Sequence, residues 1–448
     1  MDFDAFKNAV IAQAKAMGIG EYELYYRGSQ STSVSAFQHE LNQFTSSTDG
    51  GVCFRCIVNG KMGYASTEEL SEAQAAAIVR RAADNAVVME AEEPVFLGEG
   101  GQTYETLERK PYALPATDAL IGKVLETQEQ LYGADARVID GCETQGIAER
   151  CVIALYNSKG LDLHYENNLA GLVVSAVISD GQEVTDDFQI KLGKLDTLDS
   201  EALTKKAVTG AARKLGGEVA PTGTYPVVFD PDAMASLLAT FSGVFSSENA
   251  QKGLSRLADQ EGKAIAAPCV TLVDDPFHPE SPMPIPFDAE GSPTHRKNVI
   301  DGGVLQTLLY NLKTANQAGK ATTGNASKAD YDATVAVRPF TMYLAPGALT
   351  EAELLEKAGN GVFINSLSGL HAGANPISGD FSLQSAGFLI ENGKKTTPVK
   401  SFTVAGNFYD LLKQIAALSD RVELPAATGM TAFGSPCVLV EGLSIAGK

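Results

Sequence analysis

Histidine is scarce in this chain and nowhere paired. The five residues, His39, His164, His278, His295 and His371, are too far apart for any two to sit one helical turn from each other. A zinc helix of the HExxH type is therefore excluded, because that chemistry needs two imidazoles on one helix face. His39-Glu40 is followed by LNQF, which supplies no second ligand. The six cysteines show one close pair, Cys53-x-x-Cys56, inside the alternating run GVCFRCIV. Residues three apart in a strand point to opposite faces, so a redox pair or half of a zinc site is not expected there, and no second CxxC completes a Cys₄ site. Basic charge is also short: 35 Lys and Arg face 55 Asp and Glu, a net charge of −20. Tight contact with a nucleic-acid backbone needs clustered cations, so no nucleic-acid partner is expected. No apolar run approaches the ~20 residues of a membrane span. The opening MDFDAFKNAV carries acid where a secretion signal carries base. A cytoplasmic location without membrane contact is the expectation.

The chain is organised around the segment from His371 to Arg421, where Gly, Ser, Asn, Asp and Pro alternate with short apolar runs. Asn392-Gly393 between Gly387–Ile390 and Pro398–Val404 predicts a hairpin, since both central residues of a type I′ turn need positive φ. Upstream, Phe3, Phe6, Val10, Ala14 and Met17 keep helical spacing. Strands follow at YELYY, STSVSAF, FTSSTD and GVCFRCIV, and Asn59-Gly60 turns the last into KMGYAS. Ser66 and Glu69 suggest a capping box before an Ala-rich helix. Residues 92–115 read as an extended excursion, and a third helix spans about Asp118 to Tyr132. A further meander of strands leads to a helix over Ser200–Leu215, closed by Gly216-Gly217.

GEVAPTGTYP is a linker by composition, dividing an N-terminal domain (residues 1–217) from a C-terminal one (residues 225–448). The second begins with the strand TYPVVFD and a helix in which Met234, Leu237, Leu238, Phe241, Val244 and Phe245 recur at helical spacing. A helix over NFYDLLKQIAAL and the core strand SPCVLVEGLSIAG close it. The fold class is α+β: an antiparallel sheet with helices, then a β-rich, barrel-like domain with helices. No solenoid repeat is present.

Chemistry-bearing clusters are few. His278 and His295 flank a Pro-rich loop near Asp274, Asp275 and Asp288, residue types that can hold a metal, although loop His and Asp are ordinarily solvated. His371, Asp380 and Ser382 lie close in sequence and contain the residue types of a nucleophilic triad. No GxSxG elbow supports it, and Asp and Ser also satisfy turn N–H groups. Gly319-Lys320-Ala321-Thr322-Thr323-Gly324 lacks the spacing of a phosphate loop.

Three long motifs, DGGVLQTLLYNLKTANQAGKATTGNA, HAGANPISGDFSLQSAGFLIENGKKTTPVKSFTVAGNF and GSPCVLVEGLSIAG, resemble the TldD/PmbA family, named for a supposed modulation of DNA gyrase and classed with metalloproteases. GKMGYAS and TYPVVFD fit as well, so the resemblance runs through the whole chain. The family implies two branches: one binds zinc through an HExxxH helix and a later Cys, and the other, PmbA or TldE, lacks these and pairs with the first. Gln251-Lys252-Gly253 resembles the RKG that follows the metal helix. Counting back, the two His and the Glu fall at Leu238, Gly243 and Ala239. The later Cys falls within Arg421–Ala427 (RVELPAA), which has none, and Cys437 lies beyond it. The resemblance thus implies a subunit without zinc of its own, with zinc in a TldD-like partner and unfolded peptides, including modified-peptide precursors and an antitoxin, as substrates. A homodimer is the alternative assembly when the chain is alone. His371, Asn375, Ser378 and Asp380 are the expected wall of the substrate channel. A hydrolase built on His371, Asp380 and Ser382 and a non-enzymatic gyrase-modulating protein are the alternatives.

Overall fold

The computed structural model describes residues 1–90, 94–107, 111–428 and 431–448. The excursion expected over 92–115 therefore falls partly outside the described residues.

The chain opens with α1 (Phe3–Ala16), then β1 (Glu21–Phe37), β2 (Glu40–Val58), β3 (Lys61–Thr67) and α2 (Glu72–Val88). Next come α3 (Thr117–Gly133), β4 (Glu143–Asn157), β5 (Asp162–Ser179), β6 (Val184–Gly193) and α4 (Ser200–Ala212). The strands form one antiparallel sheet in the order β3-β2-β1-β4-β5-β6. Four helices cover one of its faces. Phe6, Val10, Ile78 and Val79 of α1 and α2 pack on Leu24, Phe54 and Cys56. Leu120, Val124, Ala207 and Val208 of α3 and α4 pack on Leu172 and Val174. Cys56 joins this helix-side core, while Cys53 lies on the other face beside Lys328; both thiols are free and buried.

Two local expectations are corrected. YELYY and STSVSAF are one strand, and FTSSTD and GVCFRCIV another. The Ser- and Thr-rich middle does not break the ladder, because it pairs with itself: Ser31 stands opposite Ser47, with the hydroxyls 2.8 Å apart. Ser66 is not a cap but a β3 residue opposite Cys53; Ser71 caps α2 by accepting from the Gln74 N–H at 3.3 Å. Strand β3 is the sheet's edge, and α2 blocks it. Asn85 donates to the Tyr64 carbonyl at 2.8 Å, and a Cβ on Gly63 would stand 1.9 Å from the Ala82 carbonyl. Capping an edge in this way removes a template for unwanted pairing.

The second half holds β7 (Glu218–Val219), β8 (Gly223–Phe229), α5 (Pro231–Phe241), α6 (Ser247–Gln251), β9 (Leu272–Asp274), β10 (Lys297–Asp301) and β11 (Val304–Leu305). It continues with α7 (Leu312–Ala318), β12 (Ala326–Ser327), β13 (Ala336–Val337), β14 (Thr341–Leu344), α8 (Glu351–Ala358), β15 (Gly361–Ser368) and α9 (Leu370–Gly373). It ends with β16 (Asp380–Glu391), β17 (Lys394–Asn407), α10 (Phe408–Gln414), β18 (Ile415–Leu418), β19 (Glu423–Thr428), β20 (Thr431–Ser435) and β21 (Val438–Ala446).

Strands β21, β8, β15, β16 and β17 close into a barrel, because β17 pairs back onto β21. Closure removes the open edges that a sheet of these apolar strands would present. The hairpin at Asn392-Gly393 forms as expected, with φ of 51° and 75°. The helix expected over NFYDLLKQIAAL stops at Gln414. Ile415–Leu418 pairs instead with Val438–Val440, which gives its backbone partners on the barrel. A second sheet, β11-β10-β9-β14-β20-β19, packs across α5. Among the described residues no helix is long and apolar enough to cross a membrane. The two halves meet where Met283, Ile285 and Phe287 pack on Tyr25, Ile153 and Tyr165 of the first sheet.

Candidate functional site

Helix α5 starts at Asp230, whose carboxylate accepts from the Ala233 N–H at 2.8 Å, with Pro231 in the first turn. Pro suits that position, where an N–H has no partner to lose. Met234, Leu237, Leu238 and Phe241 are buried, and Phe241 stacks on Phe408 at a centroid distance of 4.7 Å. The α-helix ends at Phe241, and Ser242–Phe245 tightens into a 3₁₀ turn. Leu238 therefore belongs to the main core. Ala239 and Gly243 instead line a cavity of about 330 Å³, together with Ser242, Ser246, Glu248 and Arg338.

Zinc in a peptidase takes three N, O or S ligands, and a neighbouring carboxylate takes the proton of the metal-bound water. Leu238, Ala239 and Gly243 carry no lone pair in their side chains, so the residues present do not fit the ion. Among the described residues no three His, Cys, Asp or Glu side chains converge as a metal site. In the Arg421–Ala427 span the side chains beyond Pro425 lie outside the described residues. Cys437 is buried, and burial is the first of the causes that push its thiol up to about 12.

The segment around His371 is shaped by its own turn. Gly369, at φ 79°, opens the short α9, and a Cβ on Gly373 would meet the Ser382 carbonyl at 2.4 Å. Asn375 Oδ1 accepts from the N–H groups of Ile377 (3.0 Å) and Ser378 (3.1 Å). Ser378 Oγ accepts from the Asp380 N–H at 3.3 Å, and Asp380 Oδ1 accepts from Asn407 Nδ2 at 2.8 Å. The Asn407 and Ser378 hydrogen bonds hold the Asp380 carboxyl below its usual range. Asn375, Asp380 and Ser382 line an open depression of about 450 Å³ that His371 does not line. His371 is exposed, and no hydrogen bond joins it to Asp380 or Ser382. Nucleophilic activation needs base and nucleophile about 2.6–3.2 Å apart.

A cavity of about 540 Å³ lies elsewhere, between the two halves. The β2–β3 hairpin, Met89, Glu90 and Pro94, Val95 and Phe96 contribute one side; α6, α7 and Glu290 contribute the other. Arg55 and Glu290 stand together there, and both are buried. Arg55 Nε donates to Glu23 Oε1 at 2.6 Å, and its Nη1 is 3.9 Å from Glu290 Oε1. Glu290 Oε2 accepts from the Leu312 N–H at 2.8 Å. Asp288, just behind, accepts from the backbone N–H groups of Glu290, Ser292 and Ala326. Burial, then Glu290, pushes Asp288 up to about 7; burial also raises Glu290. Of these four residues the sequence singled out only Asp288, and with His278 and His295 rather than with Glu290; a lone charge in each apolar strand, Glu23 in YELYY and Arg55 in GVCFRCIV, is a signal for a buried pair.

Three family models match the chain: PmbA/TldA metallopeptidase domain 1 over residues 22–86, the central domain over 110–215 and the C-terminal domain over 222–447. Among solved structures, a candidate DNA gyrase modulator from Thermotoga maritima MSB8 is 30% identical with a TM-score of 0.90, over 99% of this chain and 100% of the other. TldE from Thermococcus kodakarensis is 25% identical with a TM-score of 0.88, over 99% and 100%. The metalloprotease PmbA homolog of Haemophilus influenzae is 25% identical over 402 residues, 87% of this chain and 85% of the relative.

Proposed function

This chain belongs to the PmbA/TldD metallopeptidase family, and we propose that it is the PmbA/TldE-like subunit of a two-protein, cytoplasmic peptidase acting on unfolded peptides. The zinc sits in a TldD-like partner; this chain forms a wall of the shared chamber and holds the peptide. The observation that carries the reading is the donor set at the metal-helix positions: Leu238 in the core, and Ala239 and Gly243 on a cavity without imidazole. The overall likeness to TldE supports the same branch. Clefts beside Asn375 and Asp380 and between the two halves leave room for an extended chain.

The test is reconstitution. Purified alone, with or without added zinc, the chain is expected to cleave no unfolded peptide. Mixed with a homologue that carries an intact HExxxH, it is expected to support hydrolysis that a chelator abolishes. Chelator-insensitive cleavage by the chain alone overturns the proposal. His371→Ala separates it from a hydrolase centred on His371: activity of the pair is expected to stay within about twofold, whereas loss of a general base removes about 10²-fold or more.

A further inference from the structure

The fold shuts one edge of the first sheet and leaves a second stretch open. Helix α2 covers β3, but β3 pairs only with Val52–Val58 of β2. From Glu40 to Gly50, β2 pairs with β1 on one side and, among the described residues, with no strand on the other. At ~3.3 Å per residue this open edge is on the order of 35 Å long. The turn at Asn59-Gly60, with φ of 52° and 77°, closes on the pair Val58 and Lys61. A two-residue type I′ turn bonds that closing pair, and bonding direction alternates along a strand. The even residues of β2 thus turn N–H and C=O away from β1. At Phe44, Ser46 and Thr48 these groups point past the end of β3, and among the described residues no backbone hydrogen bond outside the sheet reaches them.

Open edges are ordinarily guarded by charge, proline or a bulge. Leu41–Thr48 (LNQFTSST) has no charge and no proline, and the irregularity in the β1–β2 ladder falls near the hairpin tip, at Ser35 and Ala36. That tip is tied to α3: His39 stacks on Tyr132 with centroids 4.1 Å apart, and its Nδ1 is 2.9 Å from Glu129 Oε1. The edge is therefore anchored and unguarded. Leu41 and Phe44 are 45% and 48% exposed on it, and the other side chains of the stretch are hydroxyls and amides.

We propose that the Glu40–Gly50 edge of β2 holds an unfolded peptide as an added antiparallel strand, with an apolar peptide side chain beside Phe44. Main-chain pairing supplies the affinity without reading sequence, which suits unfolded chains of varied composition. A second copy of this chain fits less well. Lasting subunit interfaces are more apolar than this edge, and two chains of net charge −20 repel. The inference rests on the peptide-holding role proposed above and names where the peptide lies.

Fluorescence polarisation of the full chain with fluorescein-labelled Thr-Val-Thr-Phe-Thr-Val-Gln-Thr carboxamide tests it. The peptide is expected to bind, and its form with every backbone amide N-methylated to bind at least about tenfold more weakly, the scale of a few lost hydrogen bonds. Ser46→Pro removes one outward N–H and spares the β1 ladder. It is expected to weaken the peptide about tenfold, since the ring also crowds the added strand, whereas Ser46→Ala stays within about twofold. Amide hydrogen exchange over Glu40–Gly50 is expected to slow at least about tenfold at saturating peptide, which keeps the test decisive if Ser46→Pro folds poorly. Unchanged exchange there, or unchanged affinity in a folded Ser46→Pro or for the N-methylated peptide, overturns the inference and leaves the peptide held elsewhere. A dimer of the parent that Ser46→Pro splits in sedimentation gives the edge to a second copy and also overturns it. If neither this peptide nor a long unfolded one binds, the peptide-holding role fails and the inference with it.

Discussion

Replacing Arg55 by methionine is expected to lower the free energy of unfolding by about 3–5 kcal/mol at neutral pH, the usual cost of stranding a buried charge. Glu23 and Glu290 are 2% and 4% exposed, and Arg55 is the cation that pairs with both. Methionine keeps much of the volume of the arginine stem, so packing changes little and the loss reports the charge. The three groups come from β1, β2 and the turn before Gly291, so the same substitution also loosens the seam between the halves. A urea titration reads the effect. The triple replacement Glu23→Met, Arg55→Met and Glu290→Leu is expected to recover most of the loss, because buried ion clusters are often no better than apolar residues of the same volume. A loss below about 1 kcal/mol in Arg55→Met, the range of an exposed pair, sinks the idea that this cluster is a buried, mutually dependent unit.

The contrast between this cluster and the His371 segment explains what the sequence reveals. Helical and hairpin periodicity is local, so α1, α5 and the Asn392-Gly393 hairpin are legible from a few neighbours. Strand length is not local: whether STSVSAF continues YELYY depends on what lies opposite, and Ser31 against Ser47 settles it. Site composition is less local still. His371, Asp380 and Ser382 attract notice because they are close in sequence. The fold gives the Asp380 carboxylate to Asn407, across the hairpin, and leaves His371 outside the depression that Asp380 and Ser382 line. Conversely, Glu23, Arg55 and the Asp288–Glu290 turn are far apart in the chain, and only sheet pairing and the docking of the 283–290 loop bring them together. Leu238, Ala239 and Gly243 are legible only through the resemblance to a metal helix; helical geometry then adds that 239 and 243, four apart, share a face.

Asp288 supplies the second large effect, a dependence of stability on pH. Its carboxyl is raised to about 7 by burial and by Glu290. The sign follows from linkage. A carboxyl raised in the folded state contributes its full stability below the unfolded value near 3.8, and that contribution is lost as pH rises through about 7. In this window the unfolded chain has released the proton and the folded chain still holds it, so each pH unit costs up to about 1.4 kcal/mol. Glu290 and Asp230, both raised by burial, slope the same way. Carboxyls that are held low, such as Asp135 and Asp180, act in the opposite sense and only at acid pH. Unfolding by urea at pH 5 and pH 8 should therefore show a fall in stability on the order of 3 kcal/mol that traces to this group. Asp288→Asn cannot ionise. It loses one of three backbone hydrogen bonds and is expected to be less stable than the parent at pH 5 by about 1–3 kcal/mol. Its decline toward pH 8 is expected to be shallower by the Asp288 share, so the two curves converge or cross. Parallel curves for parent and variant exclude a protonated Asp288 in the folded chain and leave the three backbone N–H donors as the dominant influence on that carboxylate.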